Sequence, residues 1–351
     1  MDRAVRHKQS GLEPRARLAV TPAPEPIGIG LSAAILAVRA DEPVVAVVVP
    51  EDSVGDGALP CGPFSPREHT TLEAGLRFWV KRHTGIELGF MQQLCALCGT
   101  EAASDEEPAG TPVLSISYLA LVGPDQCEAS KGAIWRSWYD YFPWEDWRQG
   151  KPRCLTAEIE PSLKVWAGQP RAAGDGERAG GPGDPGGHDR SRRLCISFGC
   201  DGATWDEEKV LERYELLCEA GLIGSTVASI GHPVAAVRPP KLSHPTLGNH
   251  AQVLASAIGE LRRSIKYRPV IFELMPAVFT LFELQKTVEA ILGPHLHKQN
   301  FRRLVEGCGL VEPTGEYRFR TGGRPAQLFR FRRDVLLERP TPGVRVKAGR
   351  G

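Results

Sequence analysis

Four short segments between residues 280 and 333 constrain the fold more than any other part of this sequence. The first is a predicted helix in which Thr280 and Glu283 form a capping box and Gly293 provides the stop. The second is a predicted helix with apolar residues on one face only. The last two alternate in polarity around a Thr-Gly-Gly-Arg-Pro turn and predict a β-hairpin. Two helices followed by a hairpin are typical of a winged helix-turn-helix.

The basic residues of the chain are concentrated in the same region. The formal net charge is only +1, but the chain from Arg262 onward carries 18 Lys and Arg against 8 Asp and Glu, whereas the preceding part carries 25 against 34. A positively charged C-terminal part and a negatively charged N-terminal part require different electrostatic partners. Because DNA is a polyanion, this distribution favours DNA as the partner of the C-terminal part.

The second helix and the hairpin carry the predicted DNA-binding residues. Phe301, Leu304 and Val305 are expected to face the core, which leaves basic and amide side chains on the outer face. Arginine pairs with phosphate oxygens or guanine, and an amide side chain can meet an adenine edge. A solvated basic surface on an ordinary small domain is the alternative. The predicted DNA-binding residues are Lys298, Gln299, Asn300, Arg302, Arg303, Arg318, Arg320 and Arg324.

A mixed α/β domain is predicted in front of this module. Residues 27–50 have the pattern of two largely buried strands joined by a polar turn. Residues 70–85 predict a helix that ends at Gly85, and residues 113–123 predict a further strand. The order strand, strand, helix, strand indicates a mixed sheet covered by helices.

Two segments lack the apolar pattern of a folded domain. Residues 1–26 predict a disordered arm, and the Gly- and Pro-rich residues 168–193 predict a disordered insertion. After the insertion, residues 193–199 are predicted to form a strand. The next helix is predicted to begin with a capping box made by Thr204 and Glu207.

The cysteine content and the hydropathy of the chain indicate the cellular compartment in which it is expected. The sequence has nine cysteines, no signal peptide and no apolar run near the about 18 residues that a membrane span needs. A reduced cytoplasmic protein that does not interact with membranes is therefore expected. Cys95 and Cys98 form a CxxC pair, but no second pair follows at ligand spacing, so no metal site is predicted.

Several stretches carry a resemblance to a known family. FELMPAVFTLFELQKTVEAILG, KQNFRRL, GLVEPTGE and GGRPAQLFRF closely resemble the winged-helix module of the Nudix-related bacterial repressors of NAD metabolism, the NrtR type. WYDYFPWEDWRQGKP and DEEKVLERYELLCEAGL are more similar to the proteobacterial NadQ branch. The resemblance implies a Nudix-like α/β domain over residues 27–245, a winged helix-turn-helix over residues 246–335 and a flexible tail over residues 336–351.

Nudix hydrolases carry the signature G-x5-E-x7-R-E-U-x-E-E-x-G-U, whose helical glutamates hold a divalent cation. The signature can be placed here on Gly85, or alternatively on Gly62 and Glu68. The residues at the helical glutamate positions are Trp79, Arg82 and His83 in the first register and Arg77, Val80 and Lys81 in the second. Neither register leaves a carboxylate cluster, so we expect no metal site, no required cofactor and no hydrolase activity.

We hypothesise that the N-terminal domain binds a nucleotide directly through its own side chains, without a metal ion. Arg77 and Lys81 lie four residues apart on the predicted helix and could face a pyrophosphate, although a solvated helix face is an equally good interpretation. Aromatic residues are concentrated between Trp135 and Trp147, where the rings could stack on adenine or form a core or a subunit interface. The predicted ligand-binding residues are Arg77, Lys81, Trp138, Trp144, Arg148 and Lys151.

The resemblance as a whole implies a homodimeric transcriptional repressor of NAD biosynthesis genes. Such a protein binds double-stranded operator DNA and senses an adenine nucleotide such as NAD, ADP-ribose or ATP. Two alternatives remain open. One is a divergent Nudix pyrophosphatase acting on ADP-ribose or NAD, which would use Glu68 or Glu73 and carry an accessory nucleic-acid-binding module. The other is a DNA-binding adaptor whose N-terminal domain only dimerises.

Overall fold

The computed structural model describes most of the two predicted domains. The described ranges are residues 27–49, 57–99, 112–168, 188–223, 250–319 and 325–334. The predicted arm, the predicted tail and most of the predicted insertion lie outside these ranges. A lipid bilayer could not be spanned by any helix within them.

A six-stranded mixed sheet forms the centre of the N-terminal part. Its strands are β1 (Gly28–Arg39), β2 (Glu42–Val47), β3 (Cys61–Pro63), β4 (Phe90–Gly99), β5 (Val113–Leu121) and β6 (Ile134–Ser137). The order is β4-β5-β1-β2-β6, and β3 pairs with β1 outside this path. β1 and β5 run parallel, whereas every other described pair in this sheet is antiparallel. The predicted mixed sheet is thus confirmed.

Helices cover both faces of this sheet. α1 (Leu72–Thr84) begins at the N-cap Thr71, ends at Gly85 with a φ of 72°, and buries Leu76 and Val80 against one face together with α2 (Pro124–Ala129). The opposite face carries α7 (His250–Tyr267), which contacts three of the strands, and the shorter helices belong to the same apolar cluster. These helices are α3 (Trp138–Tyr141), α4 (Glu160–Ala167), α5 (His188–Phe198), α6 (Val210–Glu219) and α7 (His250–Tyr267).

Three helical turns connect these elements. A short 3-10 turn, Pro143–Glu145, follows α3, and a wide π-type turn, Leu155–Ile159, leads directly into α4. A second 3-10 turn, Pro269–Leu274, follows α7 and leads to the C-terminal module. Proline begins both 3-10 turns, where its missing N–H costs nothing because no intrahelical acceptor is available there.

Two predictions between residues 188 and 210 are wrong. Residues 193–199, predicted as a strand, are the last turns and the cap of α5, and α5 begins within the predicted insertion. Leu194 and Phe198 are buried four residues apart, which is the spacing of one helix face. α6 begins at Val210 and not at Thr204, because the Asp206 side chain accepts the Glu208 N–H (3.0 Å) and forms a turn instead of a helix start.

The C-terminal module has the predicted order of helix, helix, strand, strand. Its elements are α8 (Leu281–Leu292), α9 (Lys298–Cys308), β7 (Val311–Arg318) and β8 (Ala326–Phe331). An isolated antiparallel bridge between Phe279 and Phe329 joins the segment before α8 to the β7-β8 hairpin. One apolar cluster runs from the sheet through α7 to α8 and α9, so the two parts of the chain share a continuous core.

Candidate nucleic-acid interface

The first turn of α8 joins the hairpin to the helix pair. Thr280 Oγ1 accepts the Glu283 N–H (3.1 Å), and the Glu283 carboxylate accepts the Thr280 N–H (2.8 Å), so the predicted capping box is confirmed. The same carboxylate accepts a hydrogen bond from Arg318 of β7. Arg318, predicted from the sequence to bind DNA, is therefore ion-paired and only 39% exposed.

Glu289 organises the turn between α8 and α9. Its carboxylate accepts hydrogen bonds from the Leu296 N–H (2.9 Å) and the Gln285 amide (2.7 Å), and it forms an ion pair with Lys286 (3.0 Å). Burial alone raises the pKa of Glu289, but these hydrogen bonds outweigh burial and hold the pKa below its usual value. A buried, charged side chain therefore fixes the angle at which α9 leaves α8.

The outer face of α9 is exposed and basic, as the sequence predicted. Phe301 and Val305 are buried against α8, which fixes the rotation of the helix. Arg302 lies 2.9 Å from Glu306 one turn further along, and both side chains remain well exposed. The exposed polar residues of this face are Lys298, Gln299, Asn300, Arg302 and Arg303. We call these five residues the α9 basic face.

The hairpin of β7 and β8 is present, but its tip lies outside the described residues. Arg320 and Arg324, both predicted to bind DNA, belong to this tip. On the described part of the hairpin, Arg330 of β8 pairs with Glu312 of β7 at 2.6 Å. Of the eight predicted DNA-binding residues, the structure therefore describes the α9 basic face and Arg318. DNA contact by any of the eight stays a prediction.

The two cations predicted to bind a ligand on α1 both have partners within the protein. Arg77 donates to the backbone carbonyls of Leu88 and Gly89, which closes the loop between α1 and β4. Lys81 forms an exposed ion pair with Glu87 at 2.6 Å. A bound pyrophosphate would have to replace these contacts, so nucleotide binding by the two residues stays a prediction.

When the Nudix signature is placed on Gly85, Trp79 stands at the position of its first helical glutamate. Its indole lies over Gly62, where an added Cβ would come within 2.3 Å of the ring, and its N–H donates to the Pro63 carbonyl (2.8 Å). Arg82 lies over the same indole, 5.6 Å from the ring centre. Burial and the nearby Arg82 charge lower the pKa of His83. This face of α1 is therefore aromatic and cationic.

The prediction that Trp138 and Trp144 stack on a nucleotide needs correction. The two side chains are 0% and 1% exposed and belong to the core between the sheet and the surrounding helices. Neither indole has a face open to a ligand, so these rings form the aromatic core that the sequence left open as an alternative.

Arg148 and Lys151, the other two predicted ligand residues in this segment, are engaged in ion pairs. Arg148 pairs with Glu42 and with Asp146 (2.8 Å), and its guanidinium lies 4.7 Å from the centre of the Tyr139 ring. Lys151 pairs with Glu160 at 2.6 Å. Both cations help to fix the aromatic segment, and their role in ligand binding stays a prediction.

A family comparison decides the nature of the C-terminal module. Residues 271–331 match the NrtR DNA-binding winged helix domain. The module is an NrtR-type winged helix. The match contains the capping box of α8, the turn fixed by Glu289, the α9 basic face and both strands of the hairpin.

One relative has a similar sequence in part of the chain. It is the "ADPR responsive transcriptional repressor NtrR" of Acinetobacter baylyi, which is 42% identical over 83 residues. The matched part covers 24% of this chain and 33% of that protein. The chain therefore matches about a third of the length of this relative. Over the matched residues, the similarity to NrtR-type proteins that the sequence indicated is confirmed.

Two solved structures match along most of this chain. The crystal structure of Shewanella oneidensis NrtR complexed with a 27mer DNA has a TM-score of 0.49 and 17% identity, and the match covers 88% of this chain and 94% of that one. The MutT/nudix family protein from Enterococcus faecalis has a TM-score of 0.45 and 15% identity, with 89% of each chain covered.

The NrtR-type winged helix is hydrogen-bonded to the sheet domain through the carboxyl end of α8. Tyr139 Oη donates to the Ala290 carbonyl (2.8 Å), and Arg262 Nε donates to the Ile291 carbonyl (2.9 Å). The last carbonyls of a helix have no partner within the helix, so these two side chains satisfy groups that would otherwise be buried without one. We call this set of contacts the α8 junction.

A buried ion network holds Arg262 in the α8 junction. Glu145 accepts hydrogen bonds from Arg213 Nε (2.6 Å) and Nη2 (2.9 Å) and from Arg262 Nη1 (2.6 Å). All three side chains are at most 1% exposed. Burial alone raises the pKa of Glu145, but the two guanidinium groups outweigh burial and lower the pKa. The turn after α3 is thereby joined to α6, α7 and the winged helix.

Replacing Glu289 by glutamine is expected to lower the free energy of unfolding by about 1–3 kcal/mol at pH 7, because buried hydrogen bonds to a charged acceptor are lost. The folded pKa of Glu289 is lowered, so its contribution is present above the unfolded value of about 4.3 and is lost as the pH falls through the folded pKa. Urea titrations at pH 7 and near pH 4 should therefore give a smaller difference between variant and wild type at the lower pH. Glu316→Gln, on the exposed part of β7, is the control. An equal difference at both pH values would contradict the assignment.

Proposed function

We propose that the protein is a DNA-binding transcriptional repressor whose N-terminal domain senses an adenine nucleotide. The observation that carries the proposal is the α9 basic face, which lies exposed on an NrtR-type winged helix. The relative from Acinetobacter baylyi, named as an ADPR responsive repressor, supports ADP-ribose as the first effector to test, ahead of NAD and ATP. Operators of NAD biosynthesis genes are the proposed targets.

In this proposal α9 enters the major groove and the hairpin contacts the neighbouring backbone. Arg302 and Arg303 pair with phosphate oxygens or with guanine, and Gln299 or Asn300 reads an adenine edge. We further propose a cytoplasmic homodimer, because two-fold symmetry would place two winged helices on the half-sites of a palindromic operator.

We propose that the N-terminal domain is Nudix-like and binds its nucleotide without hydrolysing it. Trp79, Arg82 and His83 occupy the glutamate positions of the register that agrees with the observed end of α1 at Gly85. These side chains offer no carboxylate to a divalent cation, whereas the cations on α1 could neutralise a pyrophosphate. The nucleotide can change DNA binding only if it binds with different affinity to the conformation that binds DNA and to the one that does not.

DNA binding is tested with promoter fragments of NAD biosynthesis genes at a stated salt concentration, in competition with unrelated DNA of the same length. Specific retention, weakening as salt increases, is the expected result. Retention no stronger than that of the unrelated DNA would contradict the repressor assignment for these genes.

Nucleotide binding without a metal ion gives a separate test of the N-terminal domain. ADP-ribose is expected to raise the thermal unfolding temperature equally in magnesium and in EDTA, because protein cations take the place of the metal ion. Calorimetric titration under both conditions measures the affinity directly. Strict dependence on magnesium would contradict metal-free recognition. Magnesium-dependent turnover of ADP-ribose that Glu73→Gln abolishes would instead support the pyrophosphatase alternative.

A further inference from the structure

Two thiols meet at the carboxyl end of α5. The Sγ atoms of Cys195 and Cys200 lie 3.1 Å apart, and Cys195 Sγ lies 3.2 Å from Asp201 Oδ2. Within the described ranges, these three residues form the one group of potential metal ligands whose donor atoms all lie within 4.8 Å of one another. Both sulfurs belong to partly exposed residues, so a small reagent can reach them.

The backbone imposes this contact. The Cys195 carbonyl accepts the N–H groups of Gly199 (2.9 Å) and Cys200 (3.3 Å), and Gly199 has a left-handed φ of 64°. This is the Schellman type of helix ending, which brings the side chain three positions before the cap against the side chain that follows the glycine. The two cysteines occupy those two positions.

The helix ending is held rigidly by its neighbours. A Cβ added at Gly199 would lie 2.4 Å from the Trp205 backbone nitrogen, so only glycine fits there. Arg213 Nη1 also donates to the Ser197 carbonyl (3.0 Å) in the last turn of α5. The two sulfurs are therefore held together by packing, without the ordering of a flexible loop.

The distance between the sulfurs distinguishes two kinds of thiol site. Two thiolates on a tetrahedral zinc ion, each at about 2.3 Å from the metal, lie about 3.8 Å apart. The observed separation of 3.1 Å is shorter, so the two sulfurs contact each other directly, and the about 2.0 Å of a disulfide bond is reached by a further approach of about 1 Å. We propose that Cys195 and Cys200 form a redox-active dithiol that a peroxide converts into an intramolecular disulfide.

The reaction balances with one molecule of hydrogen peroxide. The Cys200 thiolate attacks one peroxide oxygen, the O–O bond breaks, and the released hydroxide takes up a proton, which leaves a sulfenic acid and one water. The Cys195 sulfur then attacks the Cys200 sulfur, the S–O bond breaks, and the leaving hydroxide combines with the Cys195 thiol proton as a second water. Two thiols and one peroxide thus become one disulfide and two waters.

The surroundings assign different roles to the two thiols. The hydrogen bond with Cys200, burial and the nearby Asp201 carboxylate raise the pKa of the Cys195 thiol to about 12. A thiol that keeps its proton is a poor first nucleophile, because the thiolate is the reactive form. Cys195 therefore acts second, as the resolving thiol.

Peptide mapping of the reduced full-length protein after hydrogen peroxide treatment and alkylation tests the proposal. Wild type and the control Cys61→Ser are expected to yield a peptide that links Cys195 to Cys200, lighter by two hydrogen atoms and restored by dithiothreitol. Cys195→Ser should instead accumulate a Cys200 sulfenic acid that dimedone captures. The proposal is overturned if the linked peptide stays absent under conditions that oxidise other cysteines of the chain.

A second measurement on the wild type alone guards against variants that misfold. In glutathione buffers of increasing oxidised fraction, the pair is expected to convert from dithiol to disulfide in a two-electron transition. A pair that stays reduced at every ratio would overturn the proposal. So would stoichiometric zinc in the purified wild type that is lost in Cys195→Ser and kept in Cys61→Ser, because the thiols would then be metal ligands.

Discussion

Replacing Glu145 by glutamine is expected to lower the free energy of unfolding by about 3–5 kcal/mol, because breaking a buried ion pair leaves uncompensated charge in the interior. Glutamine keeps the shape of the side chain but not its charge, so the guanidinium groups of Arg213 and Arg262 would remain buried without a carboxylate. Chemical denaturation at pH 7, followed by circular dichroism, measures the change.

Glu128→Gln provides the matched control for this variant. Glu128 is exposed on α2, so the same chemical change there is expected to alter the free energy of unfolding by no more than about 0.5 kcal/mol. Equal losses of stability in the two variants would mean that Glu145 is not the counter-charge of the two buried arginines. The comparison also tests the α8 junction, because Arg262 donates hydrogen bonds both to the Ile291 carbonyl and to the Glu145 carboxylate.

The double variant Arg302→Ala and Arg303→Ala is expected to weaken operator binding by about 2–6 kcal/mol, since each specific arginine contact contributes about 1–3 kcal/mol. Both side chains are exposed, so the free energy of unfolding should change little. Fluorescence anisotropy with labelled operator DNA measures the affinity. Each arginine that pairs with a phosphate in the wild type should also reduce the slope of log K against log salt by about one when it is replaced.

A control that removes the same charge separates direct recognition from general electrostatics. Arg67 and Arg192 are exposed outside the winged helix, and their double alanine variant also removes two positive charges. It should bind operator DNA nearly as wild type does. If both double variants bound the operator equally weakly, net charge rather than the α9 basic face would account for DNA binding.

Local signals explain why the C-terminal module could be predicted from sequence. Thr280, Glu283 and Gly293 fix the ends of α8 by contacts within a few residues, and the apolar spacing of Phe301 and Val305 fixes the buried face of α9. The α9 basic face follows from that rotation. No long-range contact is needed to deduce these features.

Features that depend on distant residues were missed or misjudged. Arg318 pairs with Glu283, 35 positions earlier, so sequence alone gave no reason to expect its charge to be partly neutralised. Glu145 meets Arg213 and Arg262, 68 and 117 positions away, only after α6 and α7 have packed. The run of aromatic residues revealed a cluster but not its burial, because burial is set by those same helices.

The strand predicted at residues 193–199 was wrong for a different reason. A short apolar run has the same appearance in a strand and in the last turns of a buried helix, so periodicity alone does not distinguish them. Gly199 was the available signal, because a glycine after an apolar run also marks a helix cap.

The decisive measurement is the dissociation constant of the protein for an operator fragment, determined at fixed salt with and without saturating ADP-ribose. A coupling of about 1–3 kcal/mol, or roughly 5- to 150-fold in affinity, is the predicted result, and linkage requires operator DNA to change the affinity for ADP-ribose by the same factor. NAD and ATP, tested in the same way, identify the preferred effector. An operator affinity that stays the same although the nucleotide binds would contradict the proposed function, because the N-terminal domain would then not control the winged helix.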